Sequence, residues 1–308
     1  MKIIISACGS MPQASLIEDF QSYGVEVIGI DCNPLSVGFD FCDKYYVVPK
    51  ATDNKFIPML LSICEEERPD CIIISPDEEL KVISFHRAYF KAIGVKLLIP
   101  GRESIAFCLD KWLTYNFFKE YNIPTPKTIL YTNTYYSTFP TILKPREGRG
   151  GSGIIKILTK ETCNDIFNEN LYNYIVQKFI EGIEYSVDVL CDWNSNPISI
   201  VIRERIGIES GISTKGKIVF DKEIEKYVKK IVKKLKFIGM GCIQCIRGKE
   251  GIKFTEINIR FGGGSVLSRR ADPTIITNYL RLIKGEKLLK VSKPKQLTML
   301  RYYSEVIK

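Results

Sequence analysis

The chain has 308 residues with 44 basic and 35 acidic side chains, a net charge of +9, and a hydrophobic share of 45% against 26% charged. That balance excludes disordered and fibrous chains, and the length implies two or three packed lobes rather than one core. No apolar run has the length of a transmembrane helix, and the opening MKIIISACGSMPQ lacks the layout of a signal peptide, so a cytoplasmic protein with no membrane association is expected.

Residues 1–101 alternate β-rich runs with helical patterns: KIIISA, a helix near 13–22, VEVIGID, YYVV, a helix near 53–67, DCIIIS, a helix near 79–90, and VKLLIP. This alternation predicts a Rossmann-like lobe with a parallel sheet. Ligands gather at the carboxyl ends of such strands. Asp31, Asn33, Asp77 and Glu78 follow strands and either line a cleft or serve as turn and cap residues.

Residues 102–181 begin with a helix over 102–107 and another from Asp110 to Tyr121, closed by the prolines of NIPTP. A small α+β lobe follows, with strands PTILKP, GIIKIL and NYIVQKF and a helix at 160–168. Residues 182–308 predict a larger, mostly antiparallel sheet with a last helix near 274–284. Much of the positive charge sits in DKEIEKYVKKIVKKLKF (221–237), where Ile224, Tyr227, Val228, Ile231, Val232 and Leu235 recur at helical spacing. The lysines are then the solvated face of an amphipathic helix rather than a nucleic-acid surface.

Three motifs mislead. Gly148 to Gly153 matches the dinucleotide fingerprint, but IIKIL, a strand, stands where that fingerprint needs a helix. Gly211 to Lys217 nearly matches a P-loop, yet Ile218 replaces the required hydroxyl. Cys242 and Cys245 have C-x-x-C spacing, but on a strand they face opposite sides, and the chain holds one histidine, His86, and no second such pair. The ten cysteines, mostly inside apolar runs, fit buried reduced thiols. What remains at 148–153 is a glycine-rich hairpin flanked by Lys144, Arg146 and Arg149, either a phosphate cradle or a plain hairpin with incidental basic residues.

The most informative stretch is GCIQCIRGKEGIKFTEINIRFGGGS, 241–265. Glu256, Asn258 and Arg260 alternate with Thr255, Ile257 and Ile259, forming one polar row at about 6–7 Å spacing. A bulge-free hairpin closed by residues 248 and 252 sets Gln244 opposite Glu256, with Cβ atoms about 5 Å apart. A carboxylate and two amide oxygens suit Mg²⁺, and an adjacent arginine suits a phosphoryl group in transit. A solvated strand face is the alternative. The glycine turn 262–264 beside the row favours a ligand approaching the backbone there.

With these residues in view, the chain resembles the ATP-grasp superfamily, in particular the synthetase domains of the carbamoyl-phosphate synthase large subunit and single-chain carboxylate–amine ligases. The resemblance rests on Lys111, FPTILKPREGRGGSGI, VQKFIEGIEYSVDVL, GCIQC and FTEINIRFGGG in order. It implies an α/β and α+β fold: a Rossmann-like pre-ATP-grasp lobe, a small lid lobe and a larger C-terminal antiparallel-sheet lobe. By this resemblance Lys111 and Lys144 contact nucleotide phosphates and Gly148, Arg149, Gly150, Gly151, Ser152 and Gly153 cover them. Gln177, Lys178, Phe179 and Ile180 form the adenine hinge, with Gln177 standing where many relatives have glutamate. Glu184 takes the ribose, Gln244, Glu256 and Asn258 bind Mg²⁺, with Mn²⁺ as a substitute, and Arg260 lies by the γ-phosphate, acting with Lys144 in catalysis.

The implied activity joins a small-molecule carboxylate to an amine at the expense of ATP, through an acyl phosphate. Arg203, Arg205, Gly263 and Arg269 are candidate substrate contacts, and the arginines among them equally fit structural salt bridges. Bicarbonate activation, perhaps with a partner subunit, a non-catalytic ATP-binding subunit and, third, a nucleic-acid-binding protein are the alternatives, and a homodimer is compatible with the resemblance.

Overall fold

The structure is a computed structural model and describes residues 1–132, 139–148, 150–159 and 171–307. Arg149, Cys163 and the helix expected at 160–168 lie outside these described residues.

The first lobe is a parallel sheet in the order β3-β2-β1-β4, from β1 (Lys2–Ser6), β2 (Glu26–Asp31), β3 (Lys44–Val47) and β4 (Cys71–Ile73). The continuous apolar run of β1 suits a strand covered on both faces. Ile4 packs into one core, while Ile3 and Ile5 pack into another on the opposite face. Helices α1 (Gln13–Gln21), α2 (Phe56–Glu67), α3 (Asp77–Phe85) and α4 (Arg87–Ala92) accompany the sheet. The single helix expected near 79–90 is two, because His86 leaves helical geometry at φ −101°, ψ 12°. VKLLIP, expected as a full strand, makes one bridge, Lys96 to Cys71. Beyond it the chain leaves the sheet, and Leu98 packs its carbonyl so tightly on Gly239 that a Cβ there would lie 2.1 Å away.

Helices α5 (Arg102–Leu109) and α6 (Lys111–Glu120) lead to a small antiparallel sheet. Its order is β5-β8-β6-β7, from β5 (Thr128–Leu130), β6 (Thr141–Pro145), β7 (Ile155–Ile157) and β8 (Tyr174–Lys178). β5 was not expected, since three residues carry almost no periodicity.

The large sheet runs β13-β12-β9-β10-β11-β14, from β9 (Gly182–Cys191), β10 (Pro197–Glu209), β11 (Ile212–Val219), β12 (Gly239–Gly248), β13 (Gly251–Asn258) and β14 (Thr298–Leu300). The basic helix α7 (Lys222–Lys234) lays Ile224, Val228, Ile231 and Val232, all at 0% exposure, onto one face, against Val187, Ile243 and Ile257. Its exposed lysines point to solvent, as the helical spacing predicts. Leu190, Val201 and Met240 on the other face pack with α8 (Ser265–Ala271) and α9 (Thr274–Lys284) and with Ile3 and Ile5 of the first lobe. α8 was not anticipated: seven residues after a glycine run are too few for a helical stripe. The polar half of this second face, beyond the helices, is the wall of a cleft.

Candidate active site

Two cross-strand rows build that wall. Glu256 on β13 pairs with Gln244 on β12, which pairs with Ser186 on β9, which pairs with Arg203 on β10. The neighbouring row is Asn258, Cys242, Asp188 and Val201. The Gln244–Glu256 pairing is the expected one, but the geometry behind it differs. The hairpin closes at Gly248 and Gly251, one residue tighter than expected, and an irregularity between Gln244 and Cys245 restores the register. The extra residue in β13 flips its phase: Ile252 and Phe254 face the core before it, Ile257 and Ile259 after it. Such a bulge re-aims side chains beside a site. Without it Glu256 would point into the apolar core.

Opposite this wall, β6 of the small lobe brings Lys144. Its Nζ donates to Gln177 Oε1 at 2.9 Å, and Gln177 Nε2 donates to Thr128 Oγ1 at 3.0 Å. The 5% exposed carboxamide of Gln177 is thus the cradle of the lysine. Burial pushes the Lys144 ammonium below the usual lysine range, Glu256 and Glu184 pull it back up, and Lys111 adds to the depression. Lys111 opens α6, donating from Nζ to Gly148 O at 2.9 Å and from its backbone to Arg146 O at 2.9 Å. Asp110 caps the same helix through Trp112 N (2.8 Å) and Leu113 N (3.3 Å) and grips Arg146, so Arg146 fastens the glycine loop to α6.

Gly148, Gly150, Gly151 and Ser152 of the loop line the cleft. Gly150 and Gly151 have φ of +69° and +76°, which L side chains rarely adopt. Gly150 abuts the β10–β11 turn so closely that a Cβ on Gly211 would lie 2.8 Å from its carbonyl carbon. Gly153 instead packs against Tyr174 and Pro145, outside the cavity wall.

Together the three lobes line a cleft whose cavity volume is about 870 Å³. Among the expected residues it is lined by Lys111, Lys144, Gly148, Gly150, Gly151, Ser152, Gln177, Lys178, Phe179, Ile180, Glu184, Arg203, Arg205, Gln244, Glu256, Asn258, Arg260 and Gly263. Lys178 reaches Glu250 in the β12–β13 turn, and Lys156 lies 3.9 Å over the Phe179 ring. Glu184 accepts from Arg205 at 3.2 Å, and Arg205 also donates to Ser213 Oγ at 3.2 Å and Gly211 O at 2.8 Å.

Arg203 and Arg269 behave as structural ion pairs, the alternative their sequence left open. Arg203, 2% exposed, donates to Asp188 from Nε (2.7 Å) and Nη2 (3.1 Å), and Ser268 Oγ donates to the same carboxylate at 2.6 Å. A Cβ on Gly262 would meet Asp188 and Cys242 at 2.9 Å, and one on Gly264 would meet Arg203 Nη1 at 2.4 Å, so the glycine turn rests directly on this pair. Arg269 corrects the expectation of a substrate contact: it is 3% exposed, lies outside the cavity wall and binds Asp19 and Ser15 (3.1 Å) of α1 and Ser265 (2.7 Å). Asp31 likewise serves a turn, accepting from Gly9 N and Asn33 N at 2.9 Å and from Ser36 Oγ at 3.1 Å. Asp77, by contrast, holds Arg260. Sequence reasoning missed Ser186 and Asp188, although the alternation in EYSVDVL places both on the face of the polar row. It also missed Ser10, Gln13 and Ser75, which form the N-terminal wall of the cavity.

The oxygen donors of Gln244, Glu256 and Asn258 on adjacent pleats fit a hard divalent cation. Cys242 and Cys245 do not join them. Burial pushes the Cys242 thiol up to about 12 and the Cys245 thiol higher still, both free and protonated. Among the described residues no group of three or more His, Cys, Asp or Glu side chains gathers around a metal-sized gap. Nor is any described helix long and apolar enough to cross a membrane.

Known proteins share this fold. The carbamoyl phosphate synthase large chain of Clostridium acetobutylicum is 28% identical over 289 residues, which span 86% of this chain and 26% of that protein. The chain thus spans about a quarter of the length of such relatives. N5-carboxyaminoimidazole synthetase from Staphylococcus aureus complexed with ADP superposes with a TM-score of 0.76 at 17% identity, covering 98% of this chain and 82% of that one. L-amino acid ligase from Bacillus licheniformis gives 0.73 at 14% identity, covering 94% and 75%. At these identities the solved structures speak for the fold. A family described as "PylC-like, N-terminal domain" matches residues 3–98, and one described as "ATP-grasp domain" matches residues 108–264, just over half of the 308. The chain belongs to the ATP-grasp family.

Proposed function

We propose that the protein is an ATP- and Mg²⁺-dependent carboxylate–amine ligase that releases ADP and phosphate. The observation that supports this best is the pairing of Gln244 with Glu256 on one cleft wall, opposite Lys144 and beside Arg260, in one cavity. A pure nucleotide binder needs phosphate contacts, whereas an oxygen-ligand row with a charge-stabilising arginine serves a phosphoryl group that moves.

Lys111 and Lys144 hold the nucleotide phosphates, and the turn at 148–153 lies over them. The hinge at Gln177 to Ile180 takes the adenine through its backbone, since the Gln177 side chain is committed to Lys144. Glu184 takes the ribose. Gln244, Glu256 and Asn258 hold Mg²⁺, or Mn²⁺ in its place, which when bound neutralises phosphate charge. Arg260 stabilises the γ-phosphoryl group as it passes to a carboxylate oxygen of the acid, with ADP leaving. The amine attacks the acyl carbon, phosphate departs, and the amide loses a proton. The glycine loop and its contact with the β10–β11 turn keep water from the acyl phosphate. A homodimer is compatible with this reading and is measured by light scattering.

ADP release with Mg²⁺ and ATP, screened across amino acids, dipeptides, other carboxylates and bicarbonate, tests the proposal against Glu256→Gln. An acid-dependent rate that falls on the order of 100-fold in the variant is expected. Response to bicarbonate alone favours the carbamoyl-phosphate-synthase-type reaction. ATP binding without release under any condition would sink the ligase reading in favour of a regulatory subunit.

A further inference from the structure

Arg260 is held from two sides. Its Nη2 donates to Asn258 Oδ1 at 2.8 Å, and its Nη1 donates to Asp77 Oδ1, in the first turn of α3, 183 positions away. Asp77 is the acid that pairs with Arg260 among the described residues, and the two side chains are 20% and 19% exposed. A partly solvated ion pair of this kind adds little to stability, so its position has more to say than its strength.

Asn258 is also one of the three oxygen donors proposed for the cation. A divalent ion held by the Asn258 carboxamide would set a like charge beside the guanidinium and weaken the Asn258 bond. Asp77 then remains as the anchor that keeps Arg260 aimed at the terminal phosphate. Its carboxylate sits at the amino end of a nine-residue helix, where negative charge is favoured. We infer that Asp77 is a positioning residue: through Arg260, the N-terminal lobe sets the preference of the cavity for a nucleoside triphosphate over a diphosphate. The inference rests on the nucleotide reading above.

Calorimetric binding of β,γ-imido-ATP and of ADP, each with Mg²⁺, to the full chain tests it. Wild type is expected to prefer the triphosphate analogue. Arg260→Met and Asp77→Asn each lose on the order of 10-fold of that preference, and an unchanged circular dichroism spectrum reports an intact fold. Asp77→Glu, which keeps the charge, recovers part of the loss. The double variant Asp77→Asn with Arg260→Met loses no more than Arg260→Met alone, because both changes remove one interaction. Full preference in Asp77→Asn beside a loss in Arg260→Met, additive losses in the double variant, or no recovery by Glu each overturns the inference and leaves the nucleotide reading standing. Should Asp77→Asn lose ADP binding, Asp77→Ser takes its place in the same comparison. A wild-type chain that binds neither nucleotide overturns both.

Discussion

Arg203→Met removes one side of a fully buried ion pair. Asp188 is 0% exposed and Arg203 2%. The substitution deletes the bonds at 2.7 and 3.1 Å and leaves the carboxylate with the 2.6 Å bond from Ser268. Breaking a buried pair from one side costs about 3–5 kcal/mol. Unfolding entropy of about 2.1 cal/mol/K per residue gives about 0.65 kcal/mol/K for 308 residues, so Tm should fall by roughly 5–8 °C in a cooperative transition. Scanning fluorimetry measures this directly. Adding Asp188→Leu should recover most of the loss, because an apolar pair of similar volume substitutes well for a buried ion pair. A Tm drop below about 1 °C in the single variant, or a double variant less stable than the single, would refute the account of Arg203 as the support of the glycine turn.

With Lys144 on the nucleotide phosphates as proposed, nucleotide binding is linked to pH. Its depressed pKa means that nucleotide affinity falls as pH rises below the ordinary lysine value of 10.5, while Lys144→Met shows no such fall. The unfolded chain keeps that proton longer, so the stability of the ligand-free protein should rise with pH over the same window, opposite to the affinity. Parallel trends in titrations and melting curves would refute this. Glu67 is held down at about 2, first by Lys2, then by Lys44 and Tyr46. Its stabilisation is present above the usual 4.5 and lost as pH falls toward 2, so Glu67→Gln should lower Tm at neutral pH and not at the acid end. A difference independent of pH would show that the carboxylate charge is not its source.

The polar row and the cleft that it lines have different origins in the chain. Glu256, Asn258 and Gln244 belong to one local hairpin, so a period of two and a short turn are nearly enough to bring them together. The hairpin shows how a correct pairing can rest on an incorrect register. The sequence gives no sign of the bulge, since Thr255 and Glu256 are both ordinary strand residues. Only the apolar cover of α7, which demands Ile257 and Phe254 on the same side, makes the phase switch necessary.

Periodicity and glycine placement made most of the strands, the amphipathic face of α7, the glycine loop and the polar row legible, because each follows from residues close in the chain, whereas the strand order within the sheets rests on pairings such as Asp188 with Cys242, far apart in sequence. Which arginines face the cavity was decided by tertiary structure. Arg203 (SIVIRER), Arg260 (EINIRF) and Arg269 (SVLSRR) each stand among apolar and small polar residues, and nothing local tells a cavity arginine from a structural one. Arg269 meets Asp19 across 250 positions and Arg260 meets Asp77 across 183. A guanidinium takes whatever carboxylate the docking of the lobes brings within reach, and that docking depends on surfaces far apart in the chain.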